Sequence, residues 1–324
     1  MDKWIILLIA FIACLVISLL LYPLFINYLK TINVSQAVSE YSLDEYKNKV
    51  KTPIMGGIIF VIVPIVLFYA ADPSFKSMPM SKLMFVLISF VCYFIVGFID
   101  DLTIIITKDN EGISPSLKLL LEFSSIIILY LVFRDLIENT VYIPFLDKTI
   151  NLKYLFLPFL ALVYGYEANA CNFTDGMDGL CAGVSIIGLI CFGILAYFKG
   201  ESHVLVFIVC VVGSLCAYMF YNFHPAKIFM GDSGSLALGA LFAGLAFALD
   251  AFVPLLFIGF VFIVEMTCVV LQKISYKLFR KRIFSYTPIH YAFIIKGKKE
   301  VNIVIAFYII AAISGLIGVI VGLI

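Results

Sequence analysis

The sequence predicts an all-α, polytopic membrane protein. Two observations carry this. Of its 324 residues, 63% are hydrophobic and only 13% are charged, where a soluble domain carries roughly a quarter charged residues. The apolar residues also fall into ten runs near the length of about 20 that a helix needs to cross the hydrocarbon core. These runs are 4–28, 54–71, 83–99, 116–134, 153–170, 179–198, 204–221, 233–249, 252–273 and 303–323. Short connections make the whole chain, 1–324, one membrane-embedded domain.

The first run is too long for a signal-peptide core and has no small-residue cleavage site, so it is read as a retained span. Net charge is +1, which leaves no basic field to suggest nucleic acid. The eight cysteines lie in or beside apolar runs without CxxC spacing. They read as small packing residues, not as a disulfide framework or metal site.

Ten spans place both termini on one side. Lysine and arginine then orient the chain. Connections after odd-numbered spans hold Lys30, Lys47, Lys49, Lys51, Lys108, Lys227 and the run from Lys273 to Lys299. The other side holds only scattered cations such as Lys3, Lys82, Arg134 and Lys199. The first side is therefore expected to be cytoplasmic and both termini external. Between spans four and five, TVYIPFLDKTINL alternates β-prone residues around Leu146-Asp147-Lys148 and reads as a small external hairpin.

The same division separates the polar motifs. The inner connections contain KTPIMGG (51–57), Asp100-Asp101, NFTDGMDG (172–179), NFHPAKIFMGDSGS (222–235) and RIFSYTPIHYAF (282–293). Charge bias alone puts five motif-bearing segments on one face, which argues for one composite site.

Asp100 and Asp101 end the third predicted span. Adjacent carboxylates in low dielectric repel unless a cation compensates, an arrangement that suits Mg²⁺ or phosphate chemistry. A solvated helix end would read the same way. Asp175 and Asp178 are three apart and would share a face if that turn were helical. Thr174 or Asp175 could cap the next span, and Asn172 adds an uncharged donor and acceptor. Asp232 is the only carboxylate in its loop, among small residues that admit a bulky ligand. Lys227 reads either as a phosphate contact or as a snorkelling lysine. His290 lies in the longest inner loop, with Arg282 upstream as a phosphate partner. The cations around them would equally suit an interfacial helix on anionic lipid. Glu265, inside span nine, is an intramembrane acid and so a functional candidate, though an interhelical hydrogen bond explains it as well.

Taken in order, TPIMGG, DD, NACNFTDGMDGL, NFHPAKIFMGDSGSLALG and RIFSYTPIHYAF resemble the polyprenyl-phosphate N-acetylhexosamine-1-phosphate transferase superfamily, from first span to last. The RIF–TPIH piece is most similar to its phospho-N-acetylmuramoyl-pentapeptide transferase branch. That branch commonly has three successive histidines where this chain has His290, Tyr291 and Ala292. The resemblance implies ten spans, a homodimer in the bacterial plasma membrane, and Mg²⁺ dependence. It implies transfer of phospho-MurNAc-pentapeptide from UDP-MurNAc-pentapeptide to undecaprenyl phosphate, with release of UMP.

Position by position, the resemblance makes Asp232 the Mg²⁺ ligand and Asp100 the group that activates the lipid phosphate, with Asp101 beside it. Asn172, Asp175 and Phe229 would hold the uridine diphosphate, with Asp178 near and Asn222 in support. His290 would assist the diphosphate or sugar. A lysine of the first inner loop would contact nucleotide, Lys49 matching best and Lys51 next. A UDP-N-acetylglucosamine donor is the alternative within the superfamily. An ion-coupled transporter is the alternative outside it, disfavoured because the acids gather at span ends and not at a midplane.

Overall fold

The computed structural model describes residues 3–32, 52–72, 74–75, 80–107 and 112–324. Helix covers most of each expected apolar run: α1 (Lys3–Thr31), α2 (Gly57–Ala71), α3 (Lys82–Thr107), α4 (Pro115–Phe133), α5 (Phe156–Thr174), α6 (Leu180–Phe198), α7 (Ser202–Asn222), α8 (Gly231–Ala248), α9 (Phe252–Ile258), α10 (Phe260–Phe279), the short α11 (Ile289–Ile295) and α12 (Glu300–Leu323). Among the described residues, seven helices are long and apolar enough to cross a membrane, or eight if the bent pair α9–α10 forms one span. The protein is therefore an all-α, multi-pass membrane protein. α2 is apolar but only 15 residues long.

Their hydrogen bonds show the helices alternating between two ends. At one end Lys3 donates to Ser202, His203 pairs with Asp72, Lys82 pairs with Asp250 at 3.0 Å, and Lys199 donates to Leu249. These are the starts of α1, α7 and α3 and the ends of α2, α6 and α8. The motif segments join at the opposite end. Their backbones pair directly where Gly56 and Gly57 donate to the carbonyls of Phe229 and Met230, at 2.8 and 3.0 Å.

α8 is the central element. Every residue from Ser233 to Ala248 is buried, because small side chains let α2, α3 and α5 pack tightly against it. Two glycines on the neighbouring surfaces are required by this approach. A methyl group on Gly97 of α3 would overlap the Asp232 carbonyl, and one on Gly239 would overlap the Glu167 backbone. Large apolar side chains point outward on the periphery, including Leu20 and Leu24 of α1 and Ile313 and Ile320 of α12, as a lipid-facing surface requires.

Three local expectations need correction. The third helix does not stop before Asp100 but continues to Thr107. Both carboxylates are hence inside a helix, where neighbouring groups satisfy them. The ninth run is not straight: α9 and α10 meet at Gly259 with an 82° bend, a glycine break that re-aims α10. The 175–178 turn is not helical. Thr174 is the last residue of α5 and donates to Ala170, and the residue before α6 is Gly179, left-handed at φ 80° with no side-chain cap. Asp175 and Asp178 therefore do not share a helix face. The expected hairpin is present as β1 (Thr140–Ile143) and β2 (Lys148–Asn151). The strands are antiparallel, with Ile143 opposite Lys148 and Asp147 left-handed in the turn.

Substituting Gly97→Ala should force α3 off α8. Overpacking of this kind costs about 1–3 kcal/mol, so the variant should unfold several degrees lower and lose most activity. An unchanged melting temperature and turnover would show that α3 and α8 do not meet this closely.

Candidate active site

The site is built on the start of α8. Asp101 is buried, and its two carboxylate oxygens accept the backbone N–H groups of Asp232 and Ser233 at 2.9 and 3.0 Å. The first N–H groups of a helix lack intrahelical partners, and a carboxylate there also meets the positive end of the helix dipole. Asp101 is thus consumed in fixing α8 against α3. Gly231, at φ 74°, makes the turn that admits it.

The Asp232 side chain is then held from two sides. Asn172, near the end of α5, donates to Asp232 Oδ1 at 2.7 Å and to Ser235 Oγ at 3.0 Å. Lys118 of α4 forms an ion pair with Asp232 and lies 3.8 Å from Asp100 Oδ1. Asp100 in turn accepts the N–H of Ile113 at 3.1 Å. One ammonium therefore stands between two carboxylates, contributed by helices more than a hundred residues apart.

Lys118 lies within α4, outside the inner connections that carry the polar motifs. A lysine within an apolar run was itself a signal, and Glu122, one turn further, repeats it. Glu122 is buried and accepts from Asn169 at 2.8 Å. Asp175 stands in the same acidic field. Burial pushes its carboxyl up to about 8, and the charges of Asp232, Asp101 and Asp178 add to the shift.

The neighbouring loops are tied by side chains that the motifs named. Asn222 accepts the N–H of Gly179 and donates to the Ile228 carbonyl, both at 2.9 Å. It locks the 172–179 turn to the segment leading into α8. Phe229 contributes its backbone, donating to the Pro53 carbonyl and accepting from Gly56. Asp178 accepts from His224 Nδ1 at 3.0 Å and from the Ala226 N–H at 3.1 Å, while Glu300 at the head of α12 accepts the Asp178 N–H. His224 Nδ1 is also 3.7 Å from Glu300.

His290 is fully buried. Its Nδ1 lies 3.1 Å from Glu265, which also accepts the Ile289 N–H at 2.7 Å. Its Nε2 has no partner among the described residues and faces Gly176. Tyr291 donates to the Gly176 carbonyl at 2.9 Å, so the tyrosine present in place of a histidine anchors this loop. Ala292 is simply buried. Arg282 is exposed and lines a groove with Lys273, Lys277 and Arg280. Lys49 and Lys51 lie outside the described residues.

Whether Mg²⁺ fits can be judged from the donors themselves. Asp232 and Asp100 present carboxylate oxygens, the hard ligands that this ion prefers, and the two already share a cation in Lys118. The donor set fits.

The family described as Glycosyl transferase family 4 matches residues 83–250. The phospho-N-acetylmuramoyl-pentapeptide-transferase of Staphylococcus saprophyticus is 36% identical over 316 residues, covering 96% of this chain and 98% of the relative. The enzyme of the same name from Staphylococcus carnosus is 36% identical, over 94% and 96%. That of a bovine Staphylococcus aureus strain is 37% identical, over 95% and 97%. The chain belongs to the phospho-N-acetylmuramoyl-pentapeptide-transferase family. It is a phospho-sugar transferase built into a multi-pass membrane protein, and the five motif segments that the sequence singled out meet at one end of its helices.

Removing the Lys118 ammonium leaves Asp100 and Asp232 uncompensated. Breaking a partly buried pair of this kind costs about 3–5 kcal/mol, so Lys118→Met should lower transfer at least ~100-fold in protein that still elutes as a folded particle. Transfer within threefold of the parent would show that Lys118 does not organise the two carboxylates.

Proposed function

We propose that the protein transfers phospho-N-acetylmuramoyl-pentapeptide from its UDP carrier to undecaprenyl phosphate. The products are the first lipid-linked peptidoglycan precursor and UMP. The observation that carries this reading is the pair Asp100 and Asp232, held around one cation at the start of α8. It lies in a chain that matches enzymes of this name over nearly its whole length. In the same proposal the chain crosses the bacterial plasma membrane ten times with both termini outside, and the site faces the cytoplasm. The lysine-rich connections support that orientation. The chemistry requires it too, because a water-soluble nucleotide must meet an isoprenoid phosphate at the membrane surface. A homodimer, implied by the sequence resemblance, is part of the proposal and is read by cross-linking in native membranes.

Asp232, oriented by Asn172, would hold Mg²⁺ with Asp100 nearby. The ion supplies charge neutralisation for a pyrophosphate placed among carboxylates. Lys118 adds a second positive charge on the same side. Asp100 accepts the proton of the lipid phosphate, or keeps it ionised, as one of its oxygens attacks the phosphorus that carries the sugar. The bond to the UMP oxygen breaks in line with that attack. Asp175 and Asn172 border the nucleotide, and Asn222 and Asp178 hold the turn that presents them. His290 is braced by Glu265, and its free Nε2 is aimed past Gly176 toward the diphosphate or sugar. Phe229 and a lysine of the first inner loop, Lys49 or Lys51, would contact the nucleotide.

Purified protein should release UMP only when UDP-MurNAc-pentapeptide, polyprenyl phosphate and Mg²⁺ are all present. UDP-N-acetylglucosamine should be a poor donor. Asp232→Ala should abolish release even at high Mg²⁺; near-normal turnover would remove Asp232 from its assigned role. Attack is direct in this account. A phosphorylated protein trapped with donor alone, and lost in Asp100→Asn, would show a covalent intermediate instead.

A further inference from the structure

The 82° bend at Gly259 sends α10 away from α9, and its last turns have two faces of different character. At 100° per residue, Leu271, Ile274 and Leu278 fall together, and all three are exposed. Gln272, Lys273, Tyr276, Lys277 and Arg280 fall on the opposite side. That polar side forms one wall of a groove of about 500 Å³. The other wall is the chain from Arg282 to Thr287.

Hydrogen bonds fix the two walls together. Gln272 Oε1 accepts the N–H groups of Ile283 and Phe284 at 2.9 and 3.0 Å, and Ser275 donates to the Lys281 carbonyl at 2.9 Å. The groove is therefore a built feature and not an accident of a loose loop. Four cations line it, and no carboxylate does among the described residues. Tyrosine, serine and threonine supply neutral donors and acceptors between them.

The groove also adjoins the candidate active site. Tyr286 stacks edge-on with Tyr291, at 5.7 Å between ring centres, and Tyr291 binds the Gly176 carbonyl. Lys273 lies 5.7 Å from the ring centre of Phe173, the residue after Asn172. A ligand whose diphosphate lies by Asn172 and Asp232 would reach the groove only if it carried a long polar arm.

We propose that this groove binds the peptide arm of the donor, with Lys273, Lys277 and Arg280 pairing its carboxylates and the tyrosine, serine and threonine hydroxyls meeting its amides. The proposal rests on the transferase reading above. An anionic lipid headgroup offers similar charge. The exposed apolar residues Leu271, Ile274 and Leu278 are on one face of α10, however, and the cations stand on the opposite face. Exposed charge pairs contribute little singly, so several cations along an extended arm suit recognition of a flexible, multiply charged peptide.

The test compares UDP-MurNAc-pentapeptide with the same donor after amidation of its peptide carboxylates. The protein would be the full chain in nanodiscs. In the double variant Lys277→Gln/Arg280→Gln, KM for the acidic donor should rise roughly 3–10-fold, as expected for two exposed pairs, with kcat retained. KM for the amidated donor should change less than twofold. Kd values for both donors, measured by equilibrium dialysis without acceptor lipid, should show the same contrast independently of turnover. Absence of UMP release would sink the reaction, whereas absence of the Kd contrast would sink the groove. Equal weakening of both donors, or of neither, would overturn the proposal. So would an effect that appears only in nanodiscs containing phosphatidylglycerol, or only in KM for polyprenyl phosphate, since either would make the groove a lipid site.

Discussion

The architecture of the site depends on one interaction, the Asp101 carboxylate on the first N–H groups of α8. It satisfies two backbone donors that would otherwise be orphaned in a buried place, and it meets the positive end of the helix dipole. It also sets the height of α3 against α8. With that height fixed, Asp100 and Asp232 come close enough to share Lys118. Asn172 then turns Asp232 into a defined orientation. Three helices and the end of a fourth are thus indexed to one helix terminus.

Packing explains how polar chemistry can be sustained here. α8 carries mostly alanine, glycine and leucine, so its neighbours approach until backbone nearly meets backbone. Such contact gives the rigidity that a site with several carboxylates needs, since like charges would otherwise drive the loops apart. Asn222, His224 and Tyr291 add cross-ties from other segments. Among the described residues, Lys118 is the cation that pairs with both central carboxylates, so the arrangement remains acidic.

Much of this was readable in the sequence, and the failures have physical causes. Apolar runs marked the helices because lipid and core alike select nonpolar side chains. Positive charge divided the connections into two sets, and the polar set proved to be the one that meets at a single end. The Leu146-Asp147-Lys148 turn was legible because Asp tolerates a left-handed backbone. The break at Gly259 was not legible, since one glycine in an apolar run costs little and signals little. Lys118 was hidden because its partners are 18 residues before it and 114 after it, and no local pattern joins them. The two members of the Asp100-Asp101 pair looked equivalent in sequence. Only the helix direction, which turns successive side chains about 100° apart, sends one to the α8 backbone and the other to the shared cation.

That division of labour is the central claim, and paired isosteric substitutions test it most directly. Thermal unfolding and kcat would be measured for Asp100→Asn and Asp101→Asn side by side. The account predicts that Asp101→Asn, which sets an amide against helix N–H donors, unfolds several degrees lower as well as losing activity. Asp100→Asn should keep the parent melting temperature while kcat falls by about 10³, the scale expected for loss of a group that acts on the reacting atoms. Parent-like stability in Asp101→Asn, or a matched loss of stability in both, would contradict it.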